Sequence, residues 1–276
     1  MRVVRIAALY LISSASIALA EPGLPPAAGG AAPAELEHDL RIDGAIAAAA
    51  AATWLGFELL QPELAPGSCR WCQPNALDSS ARDALRWRSG DAAHQLSSLT
   101  AYGLVPLTTL GLSVLGTSTV DGQLQRSLVD VLVVTEAVAL AAVVGQGVKL
   151  IAARRRPFVA AGTASTDPDR NLSFYSGHTA FAFAVGAAAT VVAVERGYRT
   201  APWVALAGAV LATSVGYLRI AADRHYLTDV LAGAAVGAGV GAGVPLLLHP
   251  ARGRSPSRRV WLLPTPGGAA LLGSFW

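Results

Sequence analysis

Eleven residues, Arg219 to Asp229 (R-I-A-A-D-R-H-Y-L-T-D), hold a histidine, a carboxylate four positions after it and an arginine six before it. On a helix, positions i and i+4 lie one above the other. Asp229 would then hydrogen-bond one ring nitrogen of His225 and leave the other free as a nucleophile. Arg219 falls on a different face of a straight helix, so the spacing predicts a helix end and a turn around Ala221 to Arg224 that returns the guanidinium over the imidazole. Such a set suits attack on a negatively charged centre. By itself, a His-x-x-x-Asp pair more often only stabilises a helix surface.

Two further stretches carry groups of the same kind. In Lys149 to Pro157 (K-L-I-A-A-R-R-R-P), Lys149 and Arg156 are seven apart. They fall on nearly one helix face about 10 Å apart, with Pro157 stopping the helix. Cations at the end of an apolar run need an anion or water, while Arg154 and Arg155 read as a basic stop-transfer cluster. In Tyr175 to His178 (Y-S-G-H), Ser176 suits a helix N-cap and Gly177 permits close backbone approach. The amide groups there would face an anion, with His178 beside it.

In order and spacing the three stretches resemble the signature of the type 2 phosphatidic acid phosphatase and vanadium haloperoxidase superfamily: K-x6-R-P, P-S-G-H and S-R-x5-H-x3-D. Tyr175 stands where Pro is usual and Leu218 where Ser is usual. The resemblance implies roles. His225 attacks phosphorus, Asp229 orients it and stabilises its charge, and His178 protonates the leaving oxygen. Lys149, Arg156 and Arg219 bind the phosphate oxygens, helped by Ser176 and the amide of Gly177. The missing Ser hydroxyl at 218 would remove one phosphate contact. A transferred phosphoryl group spreads charge over its oxygens, so fixed cations supply most of the catalysis. No cofactor and no metal is implied, and the sequence shows no grouped carboxylates or Cys/His metal spacing. The expected activity is hydrolysis of a lipid phosphate monoester or pyrophosphate, such as phosphatidic acid, phosphatidylglycerol phosphate, undecaprenyl pyrophosphate or a lipid A phosphate. The rivals are a vanadium-dependent haloperoxidase, a branch generally soluble, and a catalytically silent lipid-binding protein.

Hydrophobic residues make up 53% of the chain and charged residues 14%, a balance that favours an integral membrane protein. The net charge of +3 points to a membrane surface and phosphate and not to nucleic acid. Residues 1–20 read as an export signal, 21–40 as a Pro- and Ala-rich flexible linker, 41–250 as the membrane domain and 251–276 as a basic, Gly-rich tail. The fold class expected is an all-α membrane bundle of five to six spans, with polar residues at one membrane face. Core spans are expected at about 96–116, 128–151, 177–194, 203–220 and 226–248. Residues 43–60, nearly all alanine in their first half, form a weaker sixth. The small residues of the last spans would allow close helix packing behind His225.

Cys69 and Cys72 are the only cysteines. A metal half-site lacks partner ligands and a redox motif lacks its βαβ context, so a local disulfide in an exported loop is expected. Two spans separate this loop from Lys149 to His178, which places it on the catalytic side, and an oxidised pair implies a periplasmic site. A cleaved signal followed by a true span at 43–60 would instead place the site in the cytoplasm. The expectation is therefore that 43–60 packs outside or inserts only partly, or that Met1 to Ala20 does not span.

Overall fold

A computed structural model describes residues 33–121, 124–162, 165–252, 260–265 and 268–273. The expected signal at 1–20, the linker as far as residue 32, and Arg254, Arg258 and Arg259 of the tail lie outside the described residues. The helices are α1 (Leu40–Leu59), α2 (Gln61–Leu64), α3 (Ala76–Leu85), α4 (Gly90–Leu99), α5 (Val105–Asp121), α6 (Leu124–Ala152), α7 (Pro157–Ala160), α8 (Gly177–Arg196), α9 (Ala201–Ala221) and α10 (Leu227–Leu248). A π-helical turn at Thr100–Leu104 joins α4 to α5, which places a continuous helix over the span expected at 96–116.

Five helices are long and apolar enough to cross a membrane: α1, residues 126–152 of α6, α8, α9 and α10. α8 is the central one, packed on α6, α9 and α10. Its ends follow from local chemistry. The Ser176 hydroxyl accepts from the Thr179 amide, and Gly197 takes the left-handed conformation at φ 75° that closes the C-terminus. The packing of α10 on α8 is backbone on backbone. A Cβ on Gly233, Gly237 or Gly241 would lie 2.7, 2.2 or 2.5 Å from the carbonyl oxygen of Ser176, Ala180 or Ala184, so only glycine permits this approach.

α1 lies along α6. Near its start Asp43 faces His249, which is paired to Glu136 of α6, and near its end Glu58 accepts from Gln146, so the two helices run the same way. Residues 43–60 thus form a helix packed along α6. Glu136 also overturns the expectation of no grouped carboxylates, since Asp43, Glu136 and His249 lie within reach of one metal ion. They are far apart in sequence, and tertiary packing alone unites them.

The bundle has two distinct ends. At one, Leu36 pairs with Ala251, and Arg196 binds Asp130, Glu35 and the Ala34 carbonyl. At the other, Trp71 pairs with Arg154, and the connections between α6 and α8 and between α9 and α10 converge. The tail adds an antiparallel hairpin, β1 (Val260–Thr265) with β2 (Gly268–Gly273). It lies outside the helical bundle in sequence, where two apolar runs too short for a span are separated by Pro and Gly.

Candidate active site

A cavity of about 770 Å³ opens at the second end and is lined by Lys149, Arg156, Gly177, His178, Arg219 and His225. Its wall continues along Val138, Ala139 and Ala142 of α6 and Ala51 and Trp54 of α1, so a charged head and an apolar trough share one space.

His225 lies in the turn that follows α9, just before Tyr226, the N-cap of α10. α9 ends at Ala221, as the spacing of Arg219 and His225 requires. The His225 Nδ1 lies 2.8 Å from the Ser173 carbonyl. A carbonyl only accepts, so Nδ1 carries the proton and Nε2 presents its lone pair, facing Arg156 Nη1 at 3.3 Å. Burial, then the charges of Arg156, Arg219 and Lys149, hold the His225 pKa well below its usual value. The ring is thus a neutral imidazole with one tautomer, the form a nucleophile needs.

Asp229 does not hydrogen-bond His225, contrary to expectation. The i,i+4 rule fails because His225 precedes the helix and Asp229 occupies its third position. The carboxylate accepts from the Tyr226 amide at 2.9 Å, Ser173 Oγ at 2.6 Å and Arg154 Nη1 at 2.5 Å. It stands 3.7 Å from His225 Nδ1, close enough to act by charge. The partner that orients the ring is a backbone atom, which no reading of side-chain types would find.

Arg154 is not part of a stop-transfer cluster. It is 1% exposed, is held between the rings of Trp71 and Tyr226, and bonds Asp229, Asp78 and Thr228. Asp78 also takes the Thr228 amide, which ties α3 to the start of α10. The backbone explains the choice among three adjacent arginines: Ala153, at φ 43°, leaves the helical path and turns Arg154 inward. Arg156 bonds the Asp169 carboxylate and the Arg224 carbonyl.

Lys149 and Arg219 form no ion pair with a carboxylate among the described residues. The Lys149 ammonium lies 3.0 Å from where a Cβ on Gly177 would sit, so glycine there leaves room for the cation. Arg219 Nη1 donates to His94 Nδ1 at 2.8 Å and Ser97 Oγ at 3.2 Å. Burial, then Arg219, pulls the His94 pKa down, consistent with a neutral acceptor. His178 meets Ser98 at Nε2 and the Tyr102 hydroxyl at Nδ1, at 3.1 and 3.4 Å. His94, Ser98 and Tyr102 were absent from the sequence reading, and only the packing of α4 beside α9 brings them in.

Ser176 is not brought to the cavity. Its hydroxyl caps α8 and accepts from Thr179 Oγ1, and it does not line the space. Leu218 points elsewhere too, packed with Ala93, Ala221 and Ala222, so a hydroxyl at that position in this fold would not reach the cavity. Tyr175 does line it. Cys69 and Cys72 are joined as a disulfide, and the loop they close presents Trp71 to Arg154.

These features define a polytopic helical protein with a buried, neutral histidine among buried cations. The family model of the PAP2 superfamily matches residues 130–252, a segment that holds all three motif blocks. Over 64 residues it is 48% identical to the lipid A 1-phosphatase of Porphyromonas gingivalis, a stretch that covers 23% of this chain and 14% of that relative. Among solved structures it is similar to the transmembrane PAP2-type phosphatidylglycerolphosphate phosphatase of Bacillus subtilis, at 20% identity and a TM-score of 0.45, over 71% of this chain and 93% of that one.

Proposed function

We propose that this protein is a lipid phosphate phosphatase that works through a phosphohistidine intermediate. The observation that carries the reading is His225, its Nδ1 proton committed to the Ser173 carbonyl and its Nε2 lone pair directed at Arg156, beside two cations that have no carboxylate partner among the described residues. Buried cations without carboxylate partners call for an anion. A phosphoryl group held by Lys149, Arg156 and Arg219 would take the place next to Nε2. The lone pair attacks phosphorus, the bond to the leaving oxygen breaks, and His178 supplies that oxygen's proton. Positive charge then grows on the imidazole, and Asp229 at 3.7 Å offsets it. In the second step His178 takes a proton from water as the water attacks phosphorus, which frees His225 and inorganic phosphate. The fixed cations supply the charge stabilisation throughout.

The apolar wall formed by α1 and α6 fits the acyl chains of a substrate whose head reaches the cations. Its chemical class is therefore a phosphate monoester or pyrophosphate on a lipid, and the name of the P. gingivalis relative puts a lipid A 1-phosphate on the panel to be tested. The loop 61–95 would supply headgroup selectivity. The Cys69–Cys72 disulfide supports a periplasmic position for the site. With α1 crossing from the far end to the cavity end, residue 33 then lies on the cytoplasmic side.

The test is turnover of ³²P-labelled lipid phosphates by purified protein, quenched in alkaline detergent. The wild type should give an acid-labile, base-stable phosphoenzyme and release phosphate. His225→Ala should give neither, and a labelled intermediate surviving in that variant would sink the assignment. His178→Ala should be impaired most on substrates with poor leaving groups.

A further inference from the structure

At the end of the bundle opposite the cavity, three helices bring together Asp43, Glu136 and His249, which are 8%, 0% and 1% exposed. Glu136 lies thirteen residues before Lys149 on α6, about 20 Å along the helix. This cluster is therefore separate from the phosphate site.

Its charge does not balance. The ion-paired partner of both carboxylates is His249, and neither carboxylate meets a lysine or arginine among the described residues. With both carboxylates ionised, even an imidazolium at His249 leaves one negative charge without a cation, so the cluster has to take up either a proton or a metal ion. Glu136 Oε1 is buried with no hydrogen-bond partner. His249 Nδ1 lies 3.0 Å from the Glu37 carbonyl, so this nitrogen carries a proton and Nε2 is turned toward Glu136 Oε2 at 3.1 Å. A backbone carbonyl on one ring nitrogen is the usual support for a histidine that binds a metal through the other. Asp43 Oδ2 takes the Asp39 amide, which fixes this carboxylate as well.

We propose that Asp43, Glu136 and His249 bind one divalent transition-metal cation, of which Zn²⁺ is the type, and that the ion joins α1, α6 and the end of α10. One imidazole nitrogen and two carboxylate oxygens form a donor set suited to such an ion. With a neutral His249, its two positive charges cancel those of the carboxylates. One donor atom from each residue lies within 4.8 Å of the others. Tetrahedral zinc needs donors about 3.5 Å apart, and Asp43 Oδ2 stands 3.9 Å from His249 Nδ1, so metal binding would swing this carboxylate toward the Nε2 side of the ring. The ion would be structural, since it sits remote from His225.

The test uses the full chain, purified in detergent through a tag without histidines and without chelator. Wild type and His178→Ala should each carry one equivalent of metal by mass spectrometry. After chelation, added Zn²⁺ should raise Tm by several degrees. Glu136→Gln, which keeps shape and removes charge, should lose both the metal and the Tm response, and Asp43→Asn should weaken them. Metal-free wild type with no Zn²⁺ response would overturn the proposal. So would a Glu136→Gln protein that retains wild-type metal content.

Discussion

Asp229→Asn separates two ways in which a carboxylate can serve a histidine nucleophile. If Asp229 fixed the tautomer, its loss would cost on the order of 10⁴ in kcat, as a misplaced imidazole proton does. The structure gives that task to the Ser173 carbonyl, which the substitution leaves in place. What remains is charge. At 3.7 Å and an effective dielectric constant of about 20, a full charge on His225 would gain about 4.5 kcal/mol from the carboxylate. Arg154, bonded to the same carboxylate, cancels part of that field and leaves about 2–3 kcal/mol, or roughly 30- to 150-fold in kcat. KM should change little, because the charge develops only in the transition state. Arg154 keeps Asp78 as a partner, so the variant should remain folded. The assay is steady-state phosphate release from a detergent-dispersed lipid phosphate at saturating substrate. A loss near 10⁴ would restore the orienting role, and a loss under threefold would remove Asp229 from the chemistry altogether.

Turnover should need no added metal and should be inhibited by vanadate, which occupies the same cation cluster. Brief chelation should leave the initial rate unchanged at moderate temperature, and restoration of a chelated enzyme by Mg²⁺ alone would contradict the mechanism. The lowered pKa of His225 means that the unfolded chain binds this proton below about pH 6.5 while the folded chain does not. Stability should therefore fall as pH drops from about 6.5 toward the folded value. His225→Gln should flatten that slope in a Tm-against-pH series, and an unchanged slope would refute it. Finally, an impermeant thiol reagent applied to intact cells after mild reduction should label Cys69 and Cys72. Labelling only after the inner membrane is opened would place the site in the cytoplasm.

The cavity residues His225, His178, Lys149, Arg156 and Arg219 were legible because each is a charged or nucleophilic side chain at a fixed offset from a helix boundary. What the sequence hid falls into three kinds. Ser173 acts through its carbonyl, and every residue has one. Arg154 could not be told from Arg155 without the backbone turn at Ala153. His94, Ser98 and Tyr102 come from a helix whose packing against α9 and α8 depends on the whole bundle. In the same way, spacing found four of the five helices long and apolar enough to cross, but it ranked the segment at 96–116 above α1, which is the fifth. An alanine run looks poor as a lone span, yet its length and its contact along α6 make it one wall of the trough.

The main-chain contact of α10 on α8 bears on how this protein meets bilayers of different thickness. Side-chain interfaces yield when helices tilt to match a thinner or thicker hydrocarbon layer. Here Gly233, Gly237 and Gly241 rest on carbonyls of α8, with no side chain between to take up slack. His178 begins α8 and His225 immediately precedes α10, so the two histidines ride on a single rigid unit. A change of lipid length would lean that unit as a whole and keep the histidines in register, while strain collects in α1, the span with the smallest buried share.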